Sequence, residues 1–147
     1  MTKMKVARID PNFGEIPTRA YHDDAGFDLY TARTTTIPAH GFQDVSCGIA
    51  VELPQGTWGL LTGRSSTLRK RGLLVHTGVI DVGYRGELFA GVWNLTGEPV
   101  EVLAGERVSQ LILIHNATEQ ATLTLVDSVN EFSLHPRGVN GFGSSGA

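Results

Sequence analysis

Apolar and polar residues alternate along many short stretches of this chain. In residues 45–52 the odd-numbered positions are all apolar, while Ser46 and Glu52 stand at even-numbered positions. Because successive side chains of a strand point to opposite faces, this period of two predicts a strand with one buried face. Further stretches with strand character cover 6–9, 34–37, 58–62, 73–76, 88–95, 100–103, 108–115 and 122–126.

These stretches are separated by turn residues, chiefly glycine, of which the chain has 18 among 147 residues. Residues 111–114 are apolar at every position, which predicts an inner strand, and only residues 66–71 have helical character. Many short strands with regular turns are typical of an all-β sandwich or barrel. We find no internal repeat. Residues 135–147 carry no packing pattern, so we expect a β domain over 1–134 and a mobile arm over 135–147.

The charge, the hydropathy and the cysteine count of the chain exclude several classes of protein. The formal net charge is -3, which argues against a general nucleic-acid or anionic-membrane binder, because those partners need a basic face. No apolar run approaches the roughly 20 residues that span a bilayer, and the first residues lead into no apolar signal region. Cys47 is the only cysteine, which excludes an internal disulfide and favours a reducing, cytoplasmic compartment.

Two segments in the first half of the chain place a charge beside special backbone residues. In 25–29, Asp28 stands between two apolar residues, where a buried carboxylate would need a cation, although a solvated strand-edge Asp fits as well. In 63–67, backbone N–H groups, the hydroxyls of Ser65 and Ser66 and the Arg64 guanidinium could hold a phosphate. A plain helix N-cap with a solvated Arg64 is compatible with the same residues.

A third segment, 78–87, has the chemistry of a general base. Asp81 follows two β-branched residues and precedes a glycine-containing turn, so its carboxylate should emerge at a strand end and could take a proton from water. Tyr84 offers a flat face beside it for a sugar or a base. A turn Asp with a packing Tyr explains the same pattern.

Two later segments complete the set. In 105–111, Arg107 and Gln110 enter an apolar strand, where polar groups need partners, and Arg107 could be the cation that Asp28 needs. A plain turn followed by a strand also explains this segment. In 137–146, Arg137 and Phe142 stand among glycines and serines, as a lid over phosphate and base would require. Gly/Ser stretches are also typical of flexible linkers.

All five segments, in this order along the whole chain, resemble the five motifs of the homotrimeric dUTPase family. The resemblance implies a jelly-roll-like β-barrel that forms a homotrimer, with each active site assembled from all three subunits. It also implies Mg²⁺-dependent hydrolysis of dUTP to dUMP and pyrophosphate, which keeps uracil out of DNA and supplies dUMP for thymidylate synthesis.

The resemblance further implies a role for each matching residue. Asp81 would be the base that activates the water attacking the α-phosphorus, Tyr84 would pack on the deoxyribose, and Asp28 with Arg107 would support the site. Mg²⁺ would be held by the triphosphate and water, with no direct protein ligand. The implied substrate contacts are Arg64, Ser65, Ser66 and Gln110 for the phosphates, Thr77, Gly78 and Val79 for the uracil, and Arg137, Phe142, Gly143, Ser144 and Ser145 for closure by the arm.

Departures from the family pattern keep two alternatives open. Gly63 and Ser66 stand where Pro and Gly are common, and residues 73–78 lack the Asn that many members place beside the uracil. These features are similar to the dCTP deaminase branch, which would give a deaminase or a bifunctional enzyme. That branch needs a Glu near Gly91, where none stands. A nucleotide-binding interaction protein without turnover, with or without a regulatory protein partner, is disfavoured by Asp81.

Overall fold

The computed structural model describes residues 2–141 and 143, and nearly all of its regular structure is β-strand. The strands and the one α-helix follow in chain order, with two short 3-10 turns at Ala117–Gln120 and Val129–Glu131: β1 Lys5–Arg8, β2 Phe27–Leu29, β3 Thr35–Ile37, β4 Phe42–Ser46, β5 Ile49–Glu52, β6 Thr57–Gly63, α1 Ser65–Arg71, β7 Leu73–Val75, β8 Gly78–Ile80, β9 Phe89–Asn94, β10 Val100–Val102 and β11 Ser109–His115.

Antiparallel pairing joins the strands into four sheets rather than one closed cylinder. The largest has the order β2-β11-β6-β8, a second has β4-β9-β7, and two further pairs are β1-β5 and β10-β3. The jelly-roll-like all-β class expected from the sequence is confirmed. β11 lies between β2 and β6, so the prediction of an inner strand at 111–114 is also confirmed.

The core lies between the sheets and follows the period of two. In β6 the side chains of Thr57 and Leu61 are buried, whereas those of Trp58, Leu60 and Thr62 are partly exposed. The fully buried aliphatic residues come from several strands, and each contributes about 1.5–3 kcal/mol to folding. They include Leu29, Ile37, Ile49, Leu61, Leu73, Val92, Val102 and Leu111.

For residues 45–52 the predicted buried face is confirmed, but the prediction of one continuous strand is wrong. All four odd-numbered residues are buried, as the alternation predicts. The strand nevertheless breaks after Ser46 and resumes at Ile49, because Gly48 adopts a φ of 68° that no continuous strand tolerates. A Cβ at position 48 would lie 2.7 Å from the Ala32 side chain, so the glycine also permits a close contact.

The predicted strand at 122–126 is wrong. Leu123 and Leu125 have exposed fractions of 100% and 97%, and no strand forms there. A strand needs a neighbour for its backbone hydrogen bonds, and the alternation of apolar residues cannot supply one. Across the described part of the chain, no helix is long and apolar enough to cross a membrane.

Candidate active site

The first half of the site forms where β6 ends and α1 begins. Gly72 terminates α1 with a φ of 65°, and its N–H bonds the Leu68 carbonyl, so the helix is confined to two turns. The Thr67 hydroxyl donates to the Val108 carbonyl at 2.7 Å and pins the helix to the chain that enters β11. A cleft of about 330 Å³ opens beside it, lined by Arg64, Ser66, Lys70 and Arg107 among others.

Two arginines converge on Asp28 at this cleft. The Arg64 Nε lies 2.9 Å from Asp28 Oδ1, and the Arg107 Nη1 lies 3.4 Å from Oδ2. The Asp28 side chain is only 16% exposed, so the carboxylate is a partly buried group that the two guanidinium groups neutralise. Sequence reasoning proposed Arg107 as the partner. Arg107 does pair with Asp28, but Arg64 is the closer cation, and that pairing was missed.

Gln110 lies on β11 directly opposite Asp28 of β2. Its side-chain amide donates to the Gly63 carbonyl at 2.9 Å and so fixes the residue that precedes Arg64. A Cβ at Gly26 would lie 2.6 Å from the Gln110 Oε1 and 3.0 Å from the Ile112 Cγ1, so the glycine leaves space for both side chains where they stand. Ser65 and Ser66 open α1 beside this group, Ser65 exposed and Ser66 partly so.

The second half of the site lies at the far end of β8. Asp81 is the first residue after β8, is exposed, and faces a cavity of about 350 Å³. Trp58, Asn116 and Thr118 line the same cavity and were not singled out from the sequence. No local sequence signal identifies Trp58, because its place beside Asp81 follows from the β6–β8 register, in which Gly59 pairs with Ile80.

Tyr84 follows Asp81 across a tight turn, in which the Tyr84 N–H donates to the Asp81 carbonyl at 3.0 Å. The Tyr84 hydroxyl donates to the Glu87 carbonyl at 2.8 Å, and 43% of the residue is exposed. The ring lies over Gly86, where a Cβ would stand 2.6 Å from the Tyr84 Cζ. The hydroxyl end of the ring therefore lies close to the backbone at Gly86, and the residue keeps an exposed surface.

The three residues assigned to uracil recognition lie along the edge of a sheet. Thr77 precedes β8, and Gly78 and Val79 belong to it, with Val79 64% exposed. β8 pairs with β6 on one side and ends the sheet on the other. An edge strand presents a row of N–H and C=O groups, which suits hydrogen bonds to the edge of a base.

The two halves do not meet within one chain. Arg64 follows the last residue of β6, whereas Asp81 stands beside Trp58 near the first. Six residues of strand separate these positions, which corresponds to about 20 Å. Asp28, Arg64, Arg107 and Gln110 thus form one group, which we call the arginine group, and Asp81 and Tyr84 form another, which we call the aspartate turn.

The arm is described only in part. Arg137 is exposed, and its Nε donates to the Asn140 carbonyl at 2.7 Å. Gly143 has a φ of 89°, a backbone conformation that favours glycine. The expected contacts of Phe142, Ser144 and Ser145 lie outside the described residues.

Cys47 is buried in the core and belongs to neither half of the site. Burial raises the pKa of the Cys47 thiol to about 12, so the group is protonated at neutral pH and is a poor nucleophile. Within residues 2–141 and 143, no three His, Cys, Asp or Glu side chains cluster as metal ligands.

The chain is similar to known proteins along nearly its whole length. A sequence model described as dUTPase matches residues 12–146. A deoxyuridine 5'-triphosphate nucleotidohydrolase of Corynebacterium jeikeium is 39% identical over 146 residues, which cover 97% of this chain and 92% of that protein. The enzyme of the same description from Paramecium bursaria Chlorella virus 1 is 39% identical, with 88% and 89% covered.

Two solved structures resemble the fold. The Staphylococcus bacteriophage 80alpha dUTPase with dUpNHpp has a TM-score of 0.85 and 28% identity, with 100% of each chain covered. A dUTPase from phage phi11 of S. aureus, described for its coordination of a structural Mg(II) ion, has a TM-score of 0.79 and 26% identity, with 86% of this chain and 97% of that chain covered.

Proposed function

The chain belongs to the dUTPase family and hydrolyses dUTP, and from that premise we propose that Asp81 is the base that activates the attacking water. Water would attack the α-phosphorus of dUTP while Asp81 takes one of its protons. The bond from the α-phosphorus to the bridging oxygen would break, so that dUMP and pyrophosphate leave.

The observation that carries this proposal is the contrast between two motif carboxylates. Asp28 is held by two arginines, one on each of its carboxylate oxygens. Asp81 is exposed, and within the part of the chain that the structure describes its carboxylate makes no hydrogen bond or ion pair. Asp81 is thus the motif carboxylate that is available to a water molecule.

The distance between the arginine group and the aspartate turn supports a site shared between copies of the chain. A nucleotide whose α-phosphorus lies at Asp81 cannot place its phosphates on Arg64 of the same chain about 20 Å away. A ring of identical copies solves this, because a head-to-tail interface brings one end of each copy to the other end of the next. We propose a homotrimer of this kind, with the phosphates bound by Arg64, Ser65, Ser66 and Gln110 of a neighbouring copy.

The remaining substrate contacts follow from the same arrangement. Tyr84 would pack its exposed ring surface on the deoxyribose and leave no room for a 2′-hydroxyl. The edge of β8 from Thr77 to Val79 would bond the uracil through backbone groups. The arm from residue 135 would close the site, with Arg137, Gly143, Ser144 and Ser145 on the phosphates and Phe142 over the uracil.

We further propose that Mg²⁺ accompanies the substrate. Arg64 and Arg107 carry positive charge but are partly committed to Asp28, so a triphosphate would keep uncompensated charge in the site. Mg²⁺ held by the phosphates and water would supply that positive charge. A cytoplasmic location, expected from the single cysteine, also stays a prediction.

The deaminase alternative loses support at β9. The position of the Glu that a deaminase needs corresponds to Gly91, which is buried. A Cβ there would lie 2.9 Å from the Phe42 Cζ, so an acidic side chain has no space without displacing that ring.

Product analysis tests the proposed mechanism. The wild-type protein with Mg²⁺ should release pyrophosphate from dUTP, far less from UTP, and neither ammonia nor pyrophosphate from dCTP at a comparable rate. Asp81→Asn should still bind the imido analogue dUpNHpp but lose about 10²- to 10⁴-fold in kcat. Asp44→Asn, at another exposed aspartate, serves as control. An active Asp81→Asn variant would overturn the assignment of the base.

A further inference from the structure

The turn that carries Asp81 and Tyr84 has little regular structure to hold it. Residues 81–88 lie between β8 and β9, and half of them are exposed, namely Asp81, Gly83, Tyr84 and Arg85. Within residues 81–87 the one such main-chain hydrogen bond joins the Tyr84 N–H to the Asp81 carbonyl, and only Leu88 at the end is bonded through its main chain to Cys47 and Ile49. Such a segment is free to move unless side chains fix it.

Arg85 makes contacts that fix this turn from outside. Its Nη1 donates to the Val82 carbonyl at 2.7 Å and to the Tyr84 carbonyl at 3.3 Å. Its Nη2 lies 3.5 Å from the Glu52 Oε1 at the end of β5. One guanidinium therefore joins two carbonyls of the turn to a strand of the adjoining sheet.

Glu52 is itself held in place. The Lys5 Nζ lies 2.9 Å from the Glu52 Oε2, and the two residues are paired across β1 and β5. The hydrogen bond and the charge of Lys5 lower the pKa of the Glu52 carboxyl, with a smaller effect from Arg85. The carboxylate is thus ionised at neutral pH and bound on both sides by cations.

Arg85 lies on a different side of the turn from Asp81. Its guanidinium borders a cavity of about 220 Å³ together with Lys5, Ala50 and Glu52. The cavity that Asp81 faces is lined by Trp58, Val79, Asn116 and Thr118 and shares no residue with the first. Arg85 is therefore placed to act on the backbone of the turn and not on the phosphates of a nucleotide beside Asp81.

We infer that Arg85 is a positioning residue, which with Glu52 clamps the turn 81–84 against β5 and so sets the position of the Asp81 carboxylate. The inference rests on the proposed function of Asp81 as the base. Both partners of the clamp are substantially exposed, with side-chain exposures of 52% for Arg85 and 41% for Glu52. Exposed ion pairs stabilise a fold only slightly, so the effect of the clamp belongs to activity and not to stability.

Arg85→Ala and Arg85→Lys test this role, with Arg33→Ala as matched control. Arg33 is also an exposed arginine near a carboxylate, 4.0 Å from Asp10, and lies outside both halves of the site. We expect Arg85→Ala to lower kcat for dUTP about 10-fold or more, because small displacements of reacting groups are costly. Its KM and its affinity for dUpNHpp should change less than about threefold. Its Tm should fall by no more than a few degrees.

The conservative variant separates positioning from charge alone. Arg85→Lys keeps the positive charge, but a lysine ammonium lacks the planar guanidinium that contacts two carbonyls and a carboxylate at once. Its kcat should therefore lie between those of the wild type and of Arg85→Ala. Glu52→Gln should also reduce kcat, by less than Arg85→Ala. Arg33→Ala should keep wild-type kinetics.

Several results would overturn the inference. Wild-type kcat in Arg85→Ala would show that the turn needs no clamp. A loss of dUpNHpp affinity as large as the loss of kcat would show that Arg85 contacts substrate. If Asp81→Asn is inactive while Arg85→Ala has wild-type kcat, the positioning role of Arg85 is refuted and the role of Asp81 as the base is kept. If Asp81→Asn is active, the proposed base fails.

Discussion

Asp28 and Arg64 form an ion pair of 2.9 Å that joins β2 to the residue preceding α1. The two residues are 36 positions apart, and β11 lies between their strands. The pair fixes the guanidinium by its Nε, while the Nη1 of Arg64 donates to the Arg107 carbonyl at 3.1 Å. Asp28 thereby orients the cation that we assign to the phosphate chain.

Replacement of Asp28 should therefore affect both stability and substrate affinity. Asp28→Asn leaves Arg64 and Arg107 close together without a counter-charge, so we expect a loss of about 1–3 kcal/mol in the free energy of unfolding. The KM for dUTP should rise more than kcat falls. Thermal unfolding and steady-state kinetics measure the two effects. Asp10→Asn, which removes only a 4.0 Å contact with Arg33, is the control, and equal losses in both variants would refute a special role for Asp28.

Gly86 and Gly83 provide a matched pair of substitutions near the Tyr84 ring. A Cβ at Gly86 would stand 2.6 Å from the Tyr84 Cζ, whereas one at Gly83 meets no atom within 4 Å. Gly86→Ala should displace the ring and lower kcat/KM for dUTP about 10- to 100-fold. It should also weaken the preference for dUTP over UTP. Gly83→Ala should remain near wild type, and similar kinetics for both variants would show that the ring position does not matter.

Removal of the arm should separate activity from stability. Arg137 and Val139 are exposed, Val139 to 95%, so a chain that ends at Pro136 loses few contacts of its own fold. We expect its Tm to stay within about 2 °C of wild type, while kcat/KM for dUTP falls by about 100-fold or more. Deletion of Ala147 alone serves as control. A large fall in Tm would show that the arm is part of the folded domain.

The buried thiol of Cys47 should make stability depend on pH in the alkaline range only. Burial raises its pKa to about 12, against about 8.5 for an exposed thiol. Well below pH 8.5, as at pH 7, the thiol is almost entirely neutral in both the folded and the unfolded state and contributes almost no pH dependence. As the pH rises from 8.5 towards 12, the unfolded state ionises first and stability falls, by about 2 kcal/mol at pH 10.

Cys47→Ala removes this ionisation and isolates the effect. The difference in free energy of unfolding between wild type and Cys47→Ala, measured by denaturant titration at pH 7 and pH 10, should shift by about 2 kcal/mol in favour of the variant at pH 10. A difference that stays constant between the two pH values would contradict the assignment of a buried, neutral thiol.

Much of the fold could be predicted because the alternation of apolar and polar residues within each strand determines which side chains are buried. The buried positions of β4 and β5 follow the period of two even across the break at Gly48, and the turn after β8 places Asp81 at the surface as expected. The break itself depends on a backbone conformation of Gly48 that alternation does not encode. The stretch 122–126 has the pattern of a strand but no partner strand among the residues that the structure describes.

The sequence predicted which residues belong to the site but not how these residues are arranged in space. The motif segments identify Asp28, Arg64 and Asp81, but which cation lies nearest to Asp28 depends on the pairing of β2 with β11 and of β11 with β6. The clamp between Arg85 and Glu52 depends in the same way on a contact between residues 33 positions apart in the sequence. Long-range register of this kind has no local signal in one sequence.

Subunit complementation tests most directly whether the arginine group and the aspartate turn of different copies form one site. Asp81→Asn and Arg64→Gln chains should each be nearly inactive alone, and Asp28 keeps Arg107 as a partner when Arg64 is replaced. After equal amounts are unfolded together and refolded, random assembly should pair an intact Asp81 with a neighbour's intact Arg64 in about one quarter of the sites. We therefore predict recovery of about one quarter of wild-type dUTP hydrolysis. A mixture no more active than the sum of its two components would show that each chain uses its own Asp81 and Arg64, and would contradict the shared site.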